Sequence, residues 1–137
     1  MADTFLLEIA TPERQLLKEQ VIEAQIPGFD GYLGILPGHA PLVSKLKPGI
    51  LSYVLAGGKS NSVAIHGGFL EVAEDHARVL VDGGVKPEEV DLQKAQDEFV
   101  RAQKAIQNLP AGMDIADALS ESFRAEAQVE LAKRAKP

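Results

Sequence analysis

The spacing of apolar residues changes at Lys86-Pro87, and this change constrains the fold more than any other feature of the chain. Before it, short apolar or β-branched runs alternate with turns at intervals of roughly 8–12 residues, which is typical of an all-β sandwich or barrel. After it, apolar residues recur every three or four positions, as they do on one face of a helix. The pattern predicts a β-sandwich domain over residues 1–86 and a C-terminal helical hairpin over residues 87–137.

The first part contains eight runs that are interpreted as strands. They are FLLEI, QLL, VIEAQI, LVSKL, ILSYVLA, NSVAI, GFLEVA and HARVLVD. In VIEAQI, Ile22, Ala24 and Ile26 occupy alternate positions, as a strand with one buried face requires. Two packed antiparallel sheets are therefore expected.

The second part predicts two antiparallel helices, over about residues 91–108 and 114–135. Asp91 and Asp114 stand where they can cap the free N–H groups of the first turns, and Leu109-Pro110-Ala111-Gly112 separates the helices. The apolar seam of the first helix comprises Leu92, Ala95, Phe99, Ala102, Ile106 and Leu109. The seam of the second comprises Ile115, Ala118, Ser122, Ala125, Val129 and Ala132.

The second seam consists mainly of Ala and Ser, so it buries little apolar surface and predicts a weakly held hairpin. A further row on the same helix leaves Leu119 and Phe123 facing away from the seam. Its members, at intervals of four, are Ile115, Leu119, Phe123, Ala127 and Leu131. These two side chains face either the β-domain or another protein, and the sequence leaves both alternatives open.

Composition excludes several classes of function. A net charge of −6 without a basic cluster argues against nucleic acid as a partner, and the absence of cysteine excludes thiolate catalysis and thiolate–zinc sites. His39, His66 and His76 are dispersed, with no metal-binding spacing, and neither a nucleophile elbow nor a P-loop is present. No apolar run reaches the length of a spanning helix, and the amino end lacks a signal-peptide pattern. Catalysis by this chain alone is not expected.

Three ordered segments resemble one family over the whole chain. The run GYLGILPGHAPLVSKLKPG is followed by GGFLEV and then by an alanine-rich hairpin, an order that resembles the epsilon subunit of the F-type ATP synthase, called delta in mitochondria. The resemblance implies a non-catalytic central-stalk subunit of a proton- or sodium-translocating synthase. It implies binding to the gamma subunit and the c-subunit rotor ring, at the cytoplasmic face of the inner membrane, with membrane association only through the complex.

The resemblance also implies an interface with gamma and the rotor ring. Its residues would be Tyr32, Leu33, Leu36, His39, Leu42 and Val43. For Leu33 and Leu36 burial in the core is the alternative, since that is the commoner location of leucine. Tyr32 replaces an acidic residue of many relatives, so a tyrosine contact would replace an ionic one. His66 stands where relatives often have a small hydroxyl residue, and the sequence attaches no function to it.

In this family the hairpin either folds against the β-domain or extends toward the alpha and beta subunits and opposes ATP hydrolysis. The resemblance implies that Leu119, Phe123, Arg124, Lys133 and Arg134 make the inhibitory contacts, with Lys136 adding to the basic tail. The alternative for the basic residues is a solvated helix end that complements the helix dipole.

Some relatives bind ATP in the folded hairpin, and a similar motif surrounds Asp91 here. Lys94 occupies the place of the motif arginine and lacks its bidentate fork, while Arg101 and Arg124 remain as further cations. No cofactor is expected, and weak ATP binding stays open beside a plain capping role for Asp91. Two other functions also stay open: a nucleotide-sensing module, and outside the family a sugar- or metal-binding sandwich enzyme.

Overall fold

The computed structural model describes residues 3–135, in which strands precede helices; Lys136 lies outside the described residues. The strands are β1 (Phe5–Ala10), β2 (Gln15–Gly28), β3 (Gly31–Ile35), β4 (Leu42–Leu55), β5 (Ser60–Ala73), β6 (His76–Val81) and β7 (Gly84–Val85). A short 3-10 turn, Pro87–Glu89, leads to the helices α1 (Leu92–Gln107) and α2 (Ile115–Ala135).

The strands form one sheet that closes on itself. Hydrogen-bonded neighbours follow the order β1-β6-β5-β4-β2, β2 also pairs with β1, and β3 and β7 lie beside β2 and β5. Every pair is antiparallel except the parallel pair β1–β6. The interior of the closed sheet is filled by fully buried side chains, including Leu7, Ile26, Leu51, Ile65 and Leu70. The predicted fold class, a β-sandwich followed by a two-helix hairpin, is confirmed.

Three predicted breaks between strands are wrong, because the chain continues through them without leaving the ladder. QLL and VIEAQI belong to β2, LVSKL and ILSYVLA to β4, and NSVAI and GFLEVA to β5. Pro48 pairs with His66, so the pairing of β4 with β5 continues through both predicted breaks. Gly68 has a φ of +145°, and a Cβ there would overlap the carbonyl oxygen of Leu80. The glycines therefore permit close strand approach instead of ending the strands.

Two further differences concern β2 and β3. The register of β2 against β4 shifts between Val21 and Glu23, which places Val21 in the core and leaves Ile22 only half-buried. The prediction that Ile22 lies on the buried face with Ala24 and Ile26 is therefore wrong, and Val21 takes that place. No strand is predicted at residues 31–35, whereas the structure has β3 paired with the end of β2.

The hairpin lies on the sandwich mainly through α2. α1 packs against α2, and α2 lies against β4 and β5. Asp91 accepts a hydrogen bond from the Lys94 N–H at 3.2 Å, and Asp114 accepts one from the Ala116 N–H at 3.1 Å, so both predicted caps form. The contact between the helices is built mainly from small side chains: Ala95, Ala102, Ala118, Ser122 and Ala125.

Candidate protein-interaction surfaces

The turn between β3 and β4 is a rigid corner. Gly38 has a φ of +81°, and its N–H donates to the Asp75 carboxylate at 2.7 Å, which ties the corner to the β5–β6 turn. The His39 N–H donates to the Leu36 carbonyl at 3.1 Å. The His39 Nδ1 lies 2.7 Å from the Ala40 carbonyl, and because a carbonyl only accepts, this nitrogen carries the proton. The corner is thus held by its own hydrogen bonds before any partner binds.

The predicted corner residues divide between core and surface. Leu33 and Leu42 pack against the main core, as the alternative for Leu33 anticipated. Leu36 and Val43 are exposed, and Val43 is 73% exposed at the start of β4. Leu36, His39 and Val43 are therefore accessible to a partner, while Leu33 and Leu42 pack against the core beside them.

Tyr32 lies apart from the corner. Its hydroxyl oxygen accepts a hydrogen bond from the Ile50 N–H at 3.3 Å. With Phe123 and Arg134, Tyr32 lines a cleft of about 420 Å³ between the sandwich and α2. The structure therefore brings Tyr32 to the docked hairpin, although its ring remains more than half exposed.

Three neighbouring strands present an exposed apolar surface that the sequence analysis missed. We call Val43, Phe69 and Leu80 the outer apolar face; Phe69 pairs with Leu80 across β5–β6, and Val43 lies diagonally from Phe69 across β4–β5. Phe69 and Leu80 are 57% and 52% exposed. The sequence does contain a signal for this surface, because GFLEV and HARVLV place apolar residues on both faces of a strand. Contiguous exposed apolar side chains mark binding surfaces.

Charged groups border the outer apolar face. The Lys45 ammonium lies 5.1 Å from the centre of the Phe29 ring. On the other side, Glu8 Oε1 lies 3.2 Å from His76 Nε2 and 3.7 Å from Arg78 Nε. An apolar centre with a charged rim is the usual anatomy of a protein–protein interface.

The docking of α2 on the sandwich depends on a second, small apolar cluster. Ala127 and Leu131 of α2 pack with Ile50 and Ala64, and Val85 and Val90 lie around them. Leu131 is fully buried. We call this group the docking cluster. It is separate from the main core, so the helix is held by few apolar side chains.

The second apolar row of α2 is divided. Its C-terminal members, Ala127 and Leu131, are buried in the docking cluster. Leu119 and Phe123, one to two turns earlier, are 38% and 49% exposed. Phe123 therefore faces the β-domain across the cleft that it lines with Tyr32 while half of its side chain stays exposed, and Leu119 lies outside that cleft. Arg124, Lys133 and Arg134 are also exposed, and Arg134 contacts Glu130 at 3.3 Å.

The residues considered for ATP binding are only partly brought together. Arg101 and Arg124 line one cleft of about 370 Å³ between α1 and α2. Glu98 and Glu121 line the same cleft, and their negative charge opposes the binding of a polyphosphate. Asp91 and Lys94 lie outside the lining, on the first turn of α1, where the Asp91 carboxylate serves as the cap.

Within residues 3–135, no cluster of three or more His, Asp or Glu side chains is arranged to hold a metal ion. No helix of the described part is long and apolar enough to cross a membrane. What the fold does present is a rigid corner, an outer apolar face and a lightly docked helix. These features define an assembly subunit of the β-sandwich and helical-hairpin class.

Comparison with known proteins identifies the family. Residues 4–87 match the model described as ATP synthase, Delta/Epsilon chain, beta-sandwich domain. The ATP synthase epsilon chain of Solibacter usitatus is 49% identical over 134 residues, covering 98% of this chain and 99% of the relative. That of Moorella thermoacetica is 37% identical, covering 92% and 94%. The chain belongs to the ATP synthase delta/epsilon family, whose members are non-catalytic stalk subunits.

Solved structures agree with this assignment. A chain in the Euglena gracilis mitochondrial ATP synthase assembly of OSCP, F1 and c-ring superposes with a TM-score of 0.81 at 26% identity, covering 95% of this chain and 81% of that one. A chain in the Tetrahymena thermophila central stalk and c-ring shares the fold, with a TM-score of 0.60 at 17% identity, covering 96% of both chains. Association with the ATP synthase complex follows from the family.

Proposed function

We propose that this chain couples the catalytic head of an F-type ATP synthase to its membrane rotor ring, and that its hairpin restrains ATP hydrolysis. In this proposal the sandwich binds gamma and the c-subunit ring at the cytoplasmic face of the inner membrane. The coupling ion is a proton or sodium, and the chain takes no direct part in its transport. The identity and coverage of the epsilon-chain relatives support the role in the stalk.

The gamma-binding surface comprises the outer apolar face together with His39 and Leu42 of the corner. Val43, Phe69 and Leu80 form adjacent exposed apolar positions on the strands that continue from the corner. Burying such a group removes apolar area from water, and the rigid corner limits the entropy lost on binding. The proposed rotor-ring contacts are Leu36 at the corner and Tyr32 and Leu33 on β3, of which Leu33 is partly buried against the main core.

Binding to purified gamma tests this surface. Phe69→Glu places a charge in the centre of the outer apolar face, and we expect it to weaken binding by more than about tenfold, since each 1.4 kcal/mol corresponds to a factor of ten. Leu119→Glu is the matched control, because Leu119 is an exposed apolar residue on the hairpin. His39→Ala should weaken binding modestly without unfolding the chain. Equal affinities for Phe69→Glu and the unchanged chain would refute the assignment.

One observation carries the regulatory part of the proposal: α2 is anchored by its C-terminal half while Leu119 and Phe123 stay exposed. A helix held by a small cluster can exchange one set of contacts for another of similar free energy. In the extended state Leu119 and Phe123 would supply apolar contacts. Arg124, Lys133 and Arg134 would face acidic groups of the alpha and beta subunits.

Removal of α2 tests the restraint. Deleting residues 114–137 should raise ATP hydrolysis by the assembled complex at both low and high ATP, while the complex still assembles through the sandwich. Equal hydrolysis rates with and without the deletion would show that the hairpin is structural. Calorimetry with ATP tests the nucleotide-sensing alternative, for which the mixed charges of the interhelical cleft predict binding weaker than about millimolar.

A further inference from the structure

The contact between α2 and the sandwich contains a polar pair beside the docking cluster. His66 lies on β5 opposite Pro48, and its Nε2 is 3.2 Å from the side-chain nitrogen of Gln128 on α2. An amide nitrogen can only donate, so the imidazole Nε2 accepts. In this arrangement His66 is neutral and carries its proton on Nδ1.

The backbone of His66 is held by the turn between β6 and β7. The His66 N–H donates to the Gly83 carbonyl at 2.9 Å. A Cβ on Gly83 would lie only 2.8 Å from the His66 Nδ1, so the ring rests directly on that glycine. The glycine thus leaves the space that the ring occupies, and a side chain at position 83 would crowd the His66 Nδ1.

Two charged groups face His66 from the elements packed around it. Arg124, one turn before Gln128 on α2, repels a positive imidazolium, and Asp82, between β6 and β7, attracts one. Arg124 moves away when α2 leaves the sandwich, whereas Asp82 stays with the β-domain. Undocking thus removes the repulsion and retains the attraction.

We propose that His66 and Gln128 form a proton-operated latch, in which a neutral His66 holds α2 on the sandwich and a protonated His66 releases it. The latch is specific to this chain's own side chains and rests on the proposed function only for its consequence in the complex. There, acidification would free α2 to reach its extended position and would strengthen the restraint on hydrolysis.

The direction of the effect follows from the two states of the latch. Burial first, and then the charge of Arg124, lower the pKa of His66 to about 4, with Asp82 opposing the shift. In the undocked chain an exposed histidine has a pKa near about 6.5. The docked form therefore binds fewer protons, so docking is strongest above the undocked pKa and weakens as pH falls from about 6.5 toward about 4.

The size of the effect is set by this difference. Between pH 7.5 and pH 5.5 the two pKa values give a change in the docking equilibrium of at most about tenfold. The ring keeps some contact with solvent, which reduces the change, so we expect a shift of about threefold to tenfold toward the undocked form.

Pulsed electron paramagnetic resonance on the full chain tests the latch. The chain has no cysteine, so nitroxide labels attached through Lys18→Cys on β2 and Glu121→Cys on α2 report only the distance between sandwich and helix. The undocked population should rise between pH 7.5 and pH 5.5. In the His66→Ser background the rise should vanish. Persistence of the full pH response in that background, or no response in the labelled parent chain, would overturn the proposal.

Two further variants separate the latch from a general effect of acid. Gln128→Glu places a carboxylate against the imidazole, which favours the imidazolium and should make docking stronger instead of weaker between pH 7.5 and pH 5.5. His76→Gln removes another histidine, on the outer side of the sandwich, and should leave the response unchanged. A Gln128→Glu chain that undocks as the parent does, or a flat response in His76→Gln, would contradict the latch.

The hydrolysis assay distinguishes this inference from the function on which it rests. If docking does not depend on pH but deletion of residues 114–137 still raises ATP hydrolysis, the latch is refuted and the restraint on hydrolysis is supported. A pH-dependent distance without activation by the deletion supports the latch and refutes the restraint.

Discussion

Replacing Leu131 with alanine should detach the hairpin and leave the sandwich folded. Leu131 is fully buried, and its contacts are in the docking cluster with Ile50, Ala64 and Ala127. The main core contains none of these residues. The substitution therefore acts on the attachment of α2 and not on the packing of the main core.

The magnitude follows from the size of the side chain removed. Leu→Ala at buried sites costs about 2–5 kcal/mol, and the lower part of that range applies where the surroundings can collapse. The docking cluster is small and lies at the surface of the sandwich, so we expect about 2–3 kcal/mol. This corresponds to a shift of about 30- to 150-fold in the docking equilibrium.

Amide hydrogen exchange measures the outcome residue by residue. In Leu131→Ala, protection should fall across α2 and α1 and stay high in β4 and β5. Leu119→Ala is the matched control, because Leu119 lies on the same helix but is exposed, and it should change protection little. The reasoning is refuted if Leu131→Ala lowers protection in the strands as much as in the helices, or if α2 keeps its protection.

Three further predictions concern the sandwich, its connection to the hairpin and the corner. A fragment of residues 1–86 should keep near-ultraviolet dichroism and unfold cooperatively; a molten or aggregated product would contradict this. Arg14 donates two hydrogen bonds to Glu89, at 2.7 and 2.9 Å. These bonds, and after them the hydrogen bond from the Lys86 N–H, lower the pKa of Glu89 to about 2. Glu89→Gln should therefore destabilise the chain to urea at pH 7, and the difference from the parent should shrink as pH falls from about 4.5 toward 2; a difference independent of pH would be the contrary result. Gly38 has a φ of +81°, which a residue with a Cβ adopts at a cost, so Gly38→Ala should loosen the corner. Amide hydrogen exchange at position 38 should then be faster, and an unchanged exchange rate would contradict this prediction.

Much of the fold was predictable, because period and turn chemistry are local properties. The 3–4 spacing after Asp91 indicated the helices, and alternation indicated most strands. Strand continuity was not predictable, since whether Pro48 and Gly68 end a strand or lie within it depends on the partner strand opposite. Which face of the sheet Ile22 lies on depends in the same way on the register shift of β2 against β4.

The interaction surfaces were predicted less completely. The corner was recognised because its residues are contiguous, whereas the outer apolar face joins Val43, Phe69 and Leu80 only through strand register. The weakness of the hairpin followed from its small residues. The pair of His66 and Gln128 could not be foreseen, because 62 positions separate the two side chains and docking alone brings them together.

The central claim is that one helix serves two exclusive positions, docked on the sandwich or extended into the catalytic head. Locking it in the first position tests this most directly. Lys47 and Glu126 line the same cleft from opposite sides, and Lys47→Cys with Glu126→Cys would introduce the chain's only thiols. Joining them with a cleavable bifunctional reagent before assembly fixes α2 to the sandwich. We expect the complex with the locked chain to hydrolyse ATP as fast as the complex lacking residues 114–137, and cleavage of the link to restore the slower rate. A locked complex that hydrolyses ATP at the rate of the unlocked one would contradict it.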